Sequence, residues 1–299
     1  MEVQQRDIDE WYRDGYIIKE LLTPSELDAV RADIEHYMPR WDEYARRRPA
    51  FLHMIGNANT LTTPAGWVVN NFPFAGEGLN HVALHPFLIE FVERLFGHRD
   101  IALSHSGLTG KYAGVADYDQ ALHTDFTNNT LAFPGGDLTY SDIPMIVYYT
   151  DVTVDLGPTF IVSNEFTRDL PLLPRHRTRS DHPELYGHEV PVTVRAGSVL
   201  IYSMRTFHRG SAMRATEGLR WSHSMAFHTA GARWLGSATF QRAGGSPEMD
   251  RFITHATPRQ REIVGFPSIG SDYWTKETLE GVQLRYPAMD VSPYERAMG

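Results

Sequence analysis

The first strong periodicity in the chain begins just after residue 22. Thr23, Pro24 and Glu26 offer an N-cap, a first-turn proline and a capping-box partner, and Leu27, Val30, Ile34 and Tyr37 then recur at helical spacing. That pattern predicts a helix. A second is predicted from Pro86 to Phe96, where Phe87, Phe91 and Leu95 share one face and Gly97 supplies the stop. Between them, residues 40 to 80 are rich in Trp, Asn, Gly and Pro without a clear period, and read as an irregular covering segment.

From residue 101 the pattern shortens to β-like runs: IALSHS, ALHTDF, MIVYYTDV, TFIVS, EVPVTV, SVLIYS and RWSHSMAF, separated by Gly, Pro and Asp. Many short strands at this spacing predict a sandwich or barrel. Past residue 245 the spacing of prolines and aromatics predicts an irregular or helical tail packed on the sheet. No repeat, low-complexity tract or linker divides the chain, so the expected organisation is a single domain over residues 1–299. It comprises a helical N-terminal region over residues 1–100 with a candidate lid at 40–80, a sheet core at about 101–235 and a C-terminal extension at 236–299.

Composition narrows the chemistry. Hydrophobic residues at 42% and aromatics at 12% suffice for a buried core in 299 residues. A formal charge of −9 disfavours nucleic acid and anionic membrane as partners, since phosphate binding draws on clustered Lys and Arg. The absence of cysteine excludes disulfides, thiol catalysis and thiolate metal sites, so any metal must be held by His, Asp or Glu. The first residues lack the apolar core of a secretory signal and no apolar run reaches bilayer length; the expectation is a cytoplasmic protein.

The most informative local feature is Ala121-Leu122-His123-Thr124-Asp125-Phe126. In a strand, i and i+2 point to one face, so His123 and Asp125 are expected to present an imidazole and a carboxylate to one point. A third ligand is expected from His208, which follows the strand-like GSVLIYSMRTF. Two His and one carboxylate leave three positions open, the arrangement of non-haem Fe(II) oxygenases. Among 14 histidines an isolated H-x-D is weak evidence. Its companions strengthen it: Arg220 and Ser222 share a strand face twelve residues after His208, and a guanidinium fork beside a hydroxyl suits a carboxylate.

Taken in order, these residues resemble the phytanoyl-CoA dioxygenase-like branch of the 2-oxoglutarate oxygenases. The likeness begins at Trp11-Tyr12-Arg13-Asp14-Gly15-Tyr16 and Leu21-Leu22-Thr23, similar to the family's opening helix pattern, and passes through His123 and Asp125. It continues in Gly157-Pro158 and in Ala196-Gly197-Ser198-Val199-Leu200 before His208. Two departures stand out. Val162-Ser163-Asn164-Glu165 replaces a turn that ends in histidine, and the interval from His208 to Arg220 is one residue longer than is usual.

The resemblance implies a mainly β fold with flanking helices, a double-stranded β-helix (jelly roll, cupin-like), with the active site at its mouth. It implies Fe(II) on His123, Asp125 and His208, with 2-oxoglutarate and O₂ as cosubstrates and Arg220 and Ser222 on the distal carboxylate. The expected reaction is hydroxylation, desaturation or cyclisation of a small organic molecule with release of succinate and CO₂; Asp125 argues against a halogenase, in which a small residue replaces the carboxylate. Lys111 stands where relatives often carry a basic pocket residue, against the alternative of a solvated loop lysine. Tyr148 and Thr150, on one face of MIVYYTDV, could reach the cosubstrate, although a core tyrosine is the plainer role. His223 and His228 read as structural. A cupin-like metalloprotein with other chemistry on Zn(II) or Mn(II), and a silent scaffold, remain as alternatives.

Overall fold

The computed structural model describes residues 1–46, 61–63, 66–69, 72–115, 118–125, 138, 141–231 and 247–298. Twelve strands are described: β1 Tyr16–Glu20, β2 Leu61–Thr63, β3 Gly66–Val69, β4 Ile101–Tyr112, β5 Leu122–His123, β6 Asp142–Tyr148, β7 Thr159–Ile161, β8 His176–Arg177, β9 Val190–Pro191, β10 Ser198–Tyr202, β11 His208–Gly210 and β12 Leu219–Thr229. They form two antiparallel sheets, ordered β1-β10-β6-β12-β4-β3-β2 and β8-β5-β11-β7-β9. This is the expected double-stranded β-helix with helices on one side.

Both predicted helices are present. Thr23 closes a reciprocal capping box with Glu26, and the helix runs Pro24–Ile34, burying Val30 and Ile34. Tyr37 falls in the turn beyond its end. The second helix spans Pro86–Phe96 and stops at Gly97, whose φ of 74° is the left-handed conformation that glycine adopts without a Cβ clash.

The N-terminal region departs from the helical expectation. It supplies β1, β2 and β3, which extend the seven-stranded sheet at both edges. The opening motif is split: a helix Gln5–Asp14 ends at Gly15 (φ 81°), and Tyr16 starts β1, which pairs along β10. Tertiary pairing overrides the local pattern there. The covering segment also divides. Phe72 and Phe74 are fully buried in the main core, where they lie on Phe252 and His223, while Trp41 and Tyr44 pack toward Tyr112. Phe51, and the side chain of Trp67, lie outside the described residues.

Residues paired directly across strands share a face, so register sorts the large sheet into two surfaces. One carries Leu108, Ile143, Met145, Val147, Val199, Trp221, Met225 and Phe227, all joined to the helices in one apolar cluster. C-terminal helices Pro247–His255 and Pro258–Ile263 add Phe252, Ile253 and Ile263 to it. The other surface faces the small sheet. Tyr148, Leu200 and Tyr202 meet Ile161, Val152 and Val192 there, but β4 and β12 present Lys111, Thr109, Gly107, His105, Arg220, Ser222 and Ser224 instead. This leaves a small and polar strip inside an otherwise apolar barrel.

Candidate active site

His123 closes β5 and His208 opens β11, and the two are directly opposed in the register. Their rings lie 4.6 Å apart between centroids. Each Nδ1 faces the carbonyl two residues back, Ala121 O at 2.9 Å and Thr206 O at 3.1 Å. Those carbonyls hold the proton on Nδ1 and leave each Nε2 lone pair directed at the site, the tautomer a metal requires.

Asp125 reaches the same point by a different route from the one its spacing implied. β5 ends at His123, and Asp125 lies in the bend beyond it, held by its N–H donating to Met204 O at 3.2 Å. Its Oδ1 is 3.8 Å from His123 Nε2 and its Oδ2 is 3.5 Å from His208 Nε2. One ligand atom from each of the three residues lies within 4.8 Å of the others.

The electrostatics favour deprotonated ligands. Burial, with His208 adjacent, lowers the His123 pKa to about 4. Burial opposes ionisation of Asp125, but the two histidines and the Tyr202 hydroxyl outweigh it and hold the carboxyl below its ordinary value. At neutral pH His123 and Asp125 therefore offer a neutral imidazole and a carboxylate without having to shed protons.

Arg220 and Lys111 are directly opposed on β12 and β4, with Ser222 one step along, opposite Thr109 and Tyr148. The alternative of a solvated loop lysine is thus excluded: Lys111 sits in a strand at 4% exposure and donates to Ser211 O at 2.8 Å. Burial, then the Arg220 charge, lowers its pKa to about 7. Arg220 is also buried, and one of its amino groups donates to Gly157 O. Gly157 has φ 64°, and a Cβ there would meet Ser211 O at 3.0 Å, so the Gly-Pro turn needs glycine to bring this carbonyl in. The buried Arg220 Nε has no hydrogen-bond partner. Among the described residues neither cation is ion-paired with a carboxylate.

Several polar neighbours escaped the sequence reading. Tyr202 donates to Asp125 Oδ2 at 3.0 Å and packs edge-on against His208. His105 faces inward opposite Ala226, and burial lowers its pKa. Asp142 is 3% exposed, accepts from Ser104 Oγ at 3.1 Å, and burial raises its pKa to about 8. Nothing local in the sequence distinguishes Asp142. Thr150 lies beyond the end of β6, so it does not share a strand face with Tyr148; its hydroxyl accepts from Trp221 N. Tyr148 remains in the core, donating to Thr159. His223 lies on the helix-facing surface between Ser106 Oγ and Tyr149 OH, and His228 Nδ1 faces Thr229 O; both are outside the triad.

Glu26, His81 and His85 form a second group of metal-ligand type. His85 Nδ1 accepts the Phe87 N–H, which puts the imidazole proton on Nε2, the nitrogen that faces Glu26. That tautomer leaves no lone pair for an ion.

The model of the phytanoyl-CoA dioxygenase (PhyH) family matches residues 11–220. No curated protein sequence matches the chain. Among solved structures, it is similar to HygX from Streptomyces hygroscopicus with nickel, 2-oxoglutarate and hygromycin B bound: 16% identity over 77% of this chain and 88% of that one, TM-score 0.56. It is similar to the non-heme alpha ketoglutarate dependent carbocyclase SnoK from nogalamycin biosynthesis, at 21% identity over 82% and 92%, TM-score 0.58. The epimerase SnoN from the same biosynthesis gives 20% identity over 77% and 87%, TM-score 0.53. At these identities the likeness is one of fold.

Proposed function

The chain belongs to the phytanoyl-CoA dioxygenase family, and on that premise we propose that His123, Asp125 and His208 hold the iron of an Fe(II)- and 2-oxoglutarate-dependent dioxygenase acting on a small metabolite. With iron(II), 2-oxoglutarate and O₂ bound, such a centre couples oxidative loss of CO₂, leaving succinate, to oxidation of a C–H bond in the substrate.

The donor set fits the metal: two imidazoles with free Nε2 atoms and one carboxylate, all oxygen and nitrogen, leaving three positions for a bidentate cosubstrate and O₂. The observation that carries the cosubstrate is the opposed pair Lys111 and Arg220. Two buried cations without a carboxylate partner among the described residues are costly, several kcal/mol per ion, unless an anion joins them. The distal carboxylate of 2-oxoglutarate is such an anion. Arg220 would grip it through its free Nε edge, Lys111 would add the second charge, and the Ser222 hydroxyl would supply a neutral donor.

The substrate would enter from the same strip, where Gly107 and Ser224 leave room and His105 and Asp142 offer polar contacts. HygX, solved with hygromycin B bound, and SnoK, a carbocyclase from nogalamycin biosynthesis, support a small-molecule substrate; the family name by itself demands no acyl-CoA. Of the covering segment, the part carrying Trp41 and Tyr44, which pack toward Tyr112, would help select it. No described helix is long and apolar enough to cross a membrane, and a cytoplasmic setting completes the reading.

The test is succinate formation that requires both iron(II) and 2-oxoglutarate, followed by mass analysis of candidate metabolites for a gain of one oxygen or a loss of two hydrogens. Turnover supported by Zn(II) without 2-oxoglutarate would instead favour the cupin-like alternative.

A further inference from the structure

Tyr202 touches two of the three proposed iron ligands at once. Its ring packs edge-on against His208 at 4.7 Å between centroids, and its hydroxyl donates to Asp125 Oδ2 at 3.0 Å. The residue is 5% exposed at the end of β10, on the barrel-facing surface with Leu200 and Tyr148. No motif in the sequence marked it. The acceptor is the carboxylate oxygen nearer His208, while Oδ1 is the one that faces His123.

Resting on the reading of His123, Asp125 and His208 as iron ligands, we propose that Tyr202 is a positioning residue that engages Asp125 Oδ2 and so restricts the carboxylate to a single bond with the metal, through Oδ1. A carboxylate has two oxygens and can bind a metal through one of them or through both. A second bond would take one of the three positions that 2-oxoglutarate and O₂ need. A hydroxyl donating to one oxygen makes that oxygen the poorer metal donor and fixes the rotamer of the other, as outer partners of ligating carboxylates do. Met204 assists from the backbone, its carbonyl accepting from Asp125 N.

The test compares Tyr202→Phe with the wild type by anaerobic titration. Phenylalanine keeps the packing against His208 and removes the hydroxyl alone. Fe(II) affinity and the visible charge-transfer band of the Fe(II)–2-oxoglutarate chelate are read separately. Tyr16→Phe is the control, since Tyr16 lies opposite Tyr202 in the register and, among the described residues, makes no hydrogen bond or ring contact with the triad. The expected result is iron binding within a few-fold of wild type, with 2-oxoglutarate bound roughly tenfold more weakly and the band displaced, the scale of one hydrogen bond to a charged acceptor. Tyr16→Phe should change neither.

An unchanged band and 2-oxoglutarate affinity in Tyr202→Phe overturn the inference. So does a parallel fall of iron and cosubstrate affinity, which is what a merely structural tyrosine would give. A wild-type protein that forms no band overturns the functional reading and this inference with it, whereas a normal wild-type band beside an unchanged variant overturns the inference alone.

Discussion

Lys111 makes cosubstrate binding depend on pH in a way that can be calculated. Before an anion binds, burial and the opposed Arg220 hold its pKa at about 7, with Asp119 acting in the other direction. An anion placed between Lys111 and Arg220 favours the ammonium, so binding draws a proton onto Lys111 wherever it was neutral beforehand. If only the ammonium form binds 2-oxoglutarate well, the apparent Kd rises by 1 + 10^(pH − 7), about twofold at pH 7, about elevenfold at pH 8 and about a hundredfold at pH 9. Affinity is therefore fully present below pH 7 and is lost as pH rises. Both carboxylates of the cosubstrate are ionised throughout this range and contribute no slope. The assay is anaerobic calorimetry in two buffers of different ionisation enthalpy from pH 6.5 to 9, which reads affinity and proton uptake together. Lys111→Arg, which keeps its charge, should bind with a flat profile, and Lys111→Met should bind more weakly at pH 6.5 and also without slope. A wild-type Kd that stays flat, or a slope that survives in Lys111→Met, would refute the assignment of Lys111 to the anion.

Alanine at His123, Asp125 or His208 should leave a folded protein with little bound iron, read by metal analysis beside a thermal melt; stoichiometric iron in any folded variant would remove that residue from the ligand set. Arg220→Ala should weaken 2-oxoglutarate binding by about 2 to 5 kcal/mol, the usual effect of truncating one partner of a buried charge pair, and iron binding much less. Equal loss of both affinities in parallel titrations would count against it. In the covering segment, Trp41→Ala, where the indole packs on Tyr44 and thereby toward Tyr112, should alter substrate-stimulated succinate release while leaving substrate-independent release nearly intact. Parallel loss of both in a folded variant would place Trp41 in the catalytic core instead.

How much of this was legible in the sequence depended on the range of the interaction concerned. Helix Pro24–Ile34 and helix Pro86–Phe96 announce themselves because caps, period and stops are local. Strands β1, β2, β3, β8 and β11 were not read, because each is a few residues long and exists through its partner: β11 has three residues and is held between β5 and β7. The structure brings His123, Asp125 and His208 together, yet one step of the argument for that gathering failed, since Asp125 leaves the strand and is aimed by Met204 rather than by a period of two. Motif order survives such errors because it reports the fold as a whole. The residues it cannot report are those that act across the barrel on groups far away in sequence.

Tyr202, 77 residues from Asp125, belongs to that class. Its side chain looks like that of an ordinary strand residue until register puts it on the inner surface. That surface also explains why the site can exist at all. Its polar strip on β4 and β12 is backed by the surface on which Leu108, Val147, Met225 and Phe227 meet the helices, so one sheet carries the apolar packing on one side and, on the other, two basic groups that have no carboxylate partner among the described residues. The buried charges oppose folding, and the helix-facing cluster is what opposes that cost. Binding of an anion should then stabilise the protein through the two residues proposed to recognise it: 2-oxoglutarate at a hundred times its Kd contributes about 2.7 kcal/mol by mass action alone. A melting temperature that rises with 2-oxoglutarate in the wild type but not in Arg220→Ala would tie this stabilisation to the inner surface, and an equal rise in both would detach it.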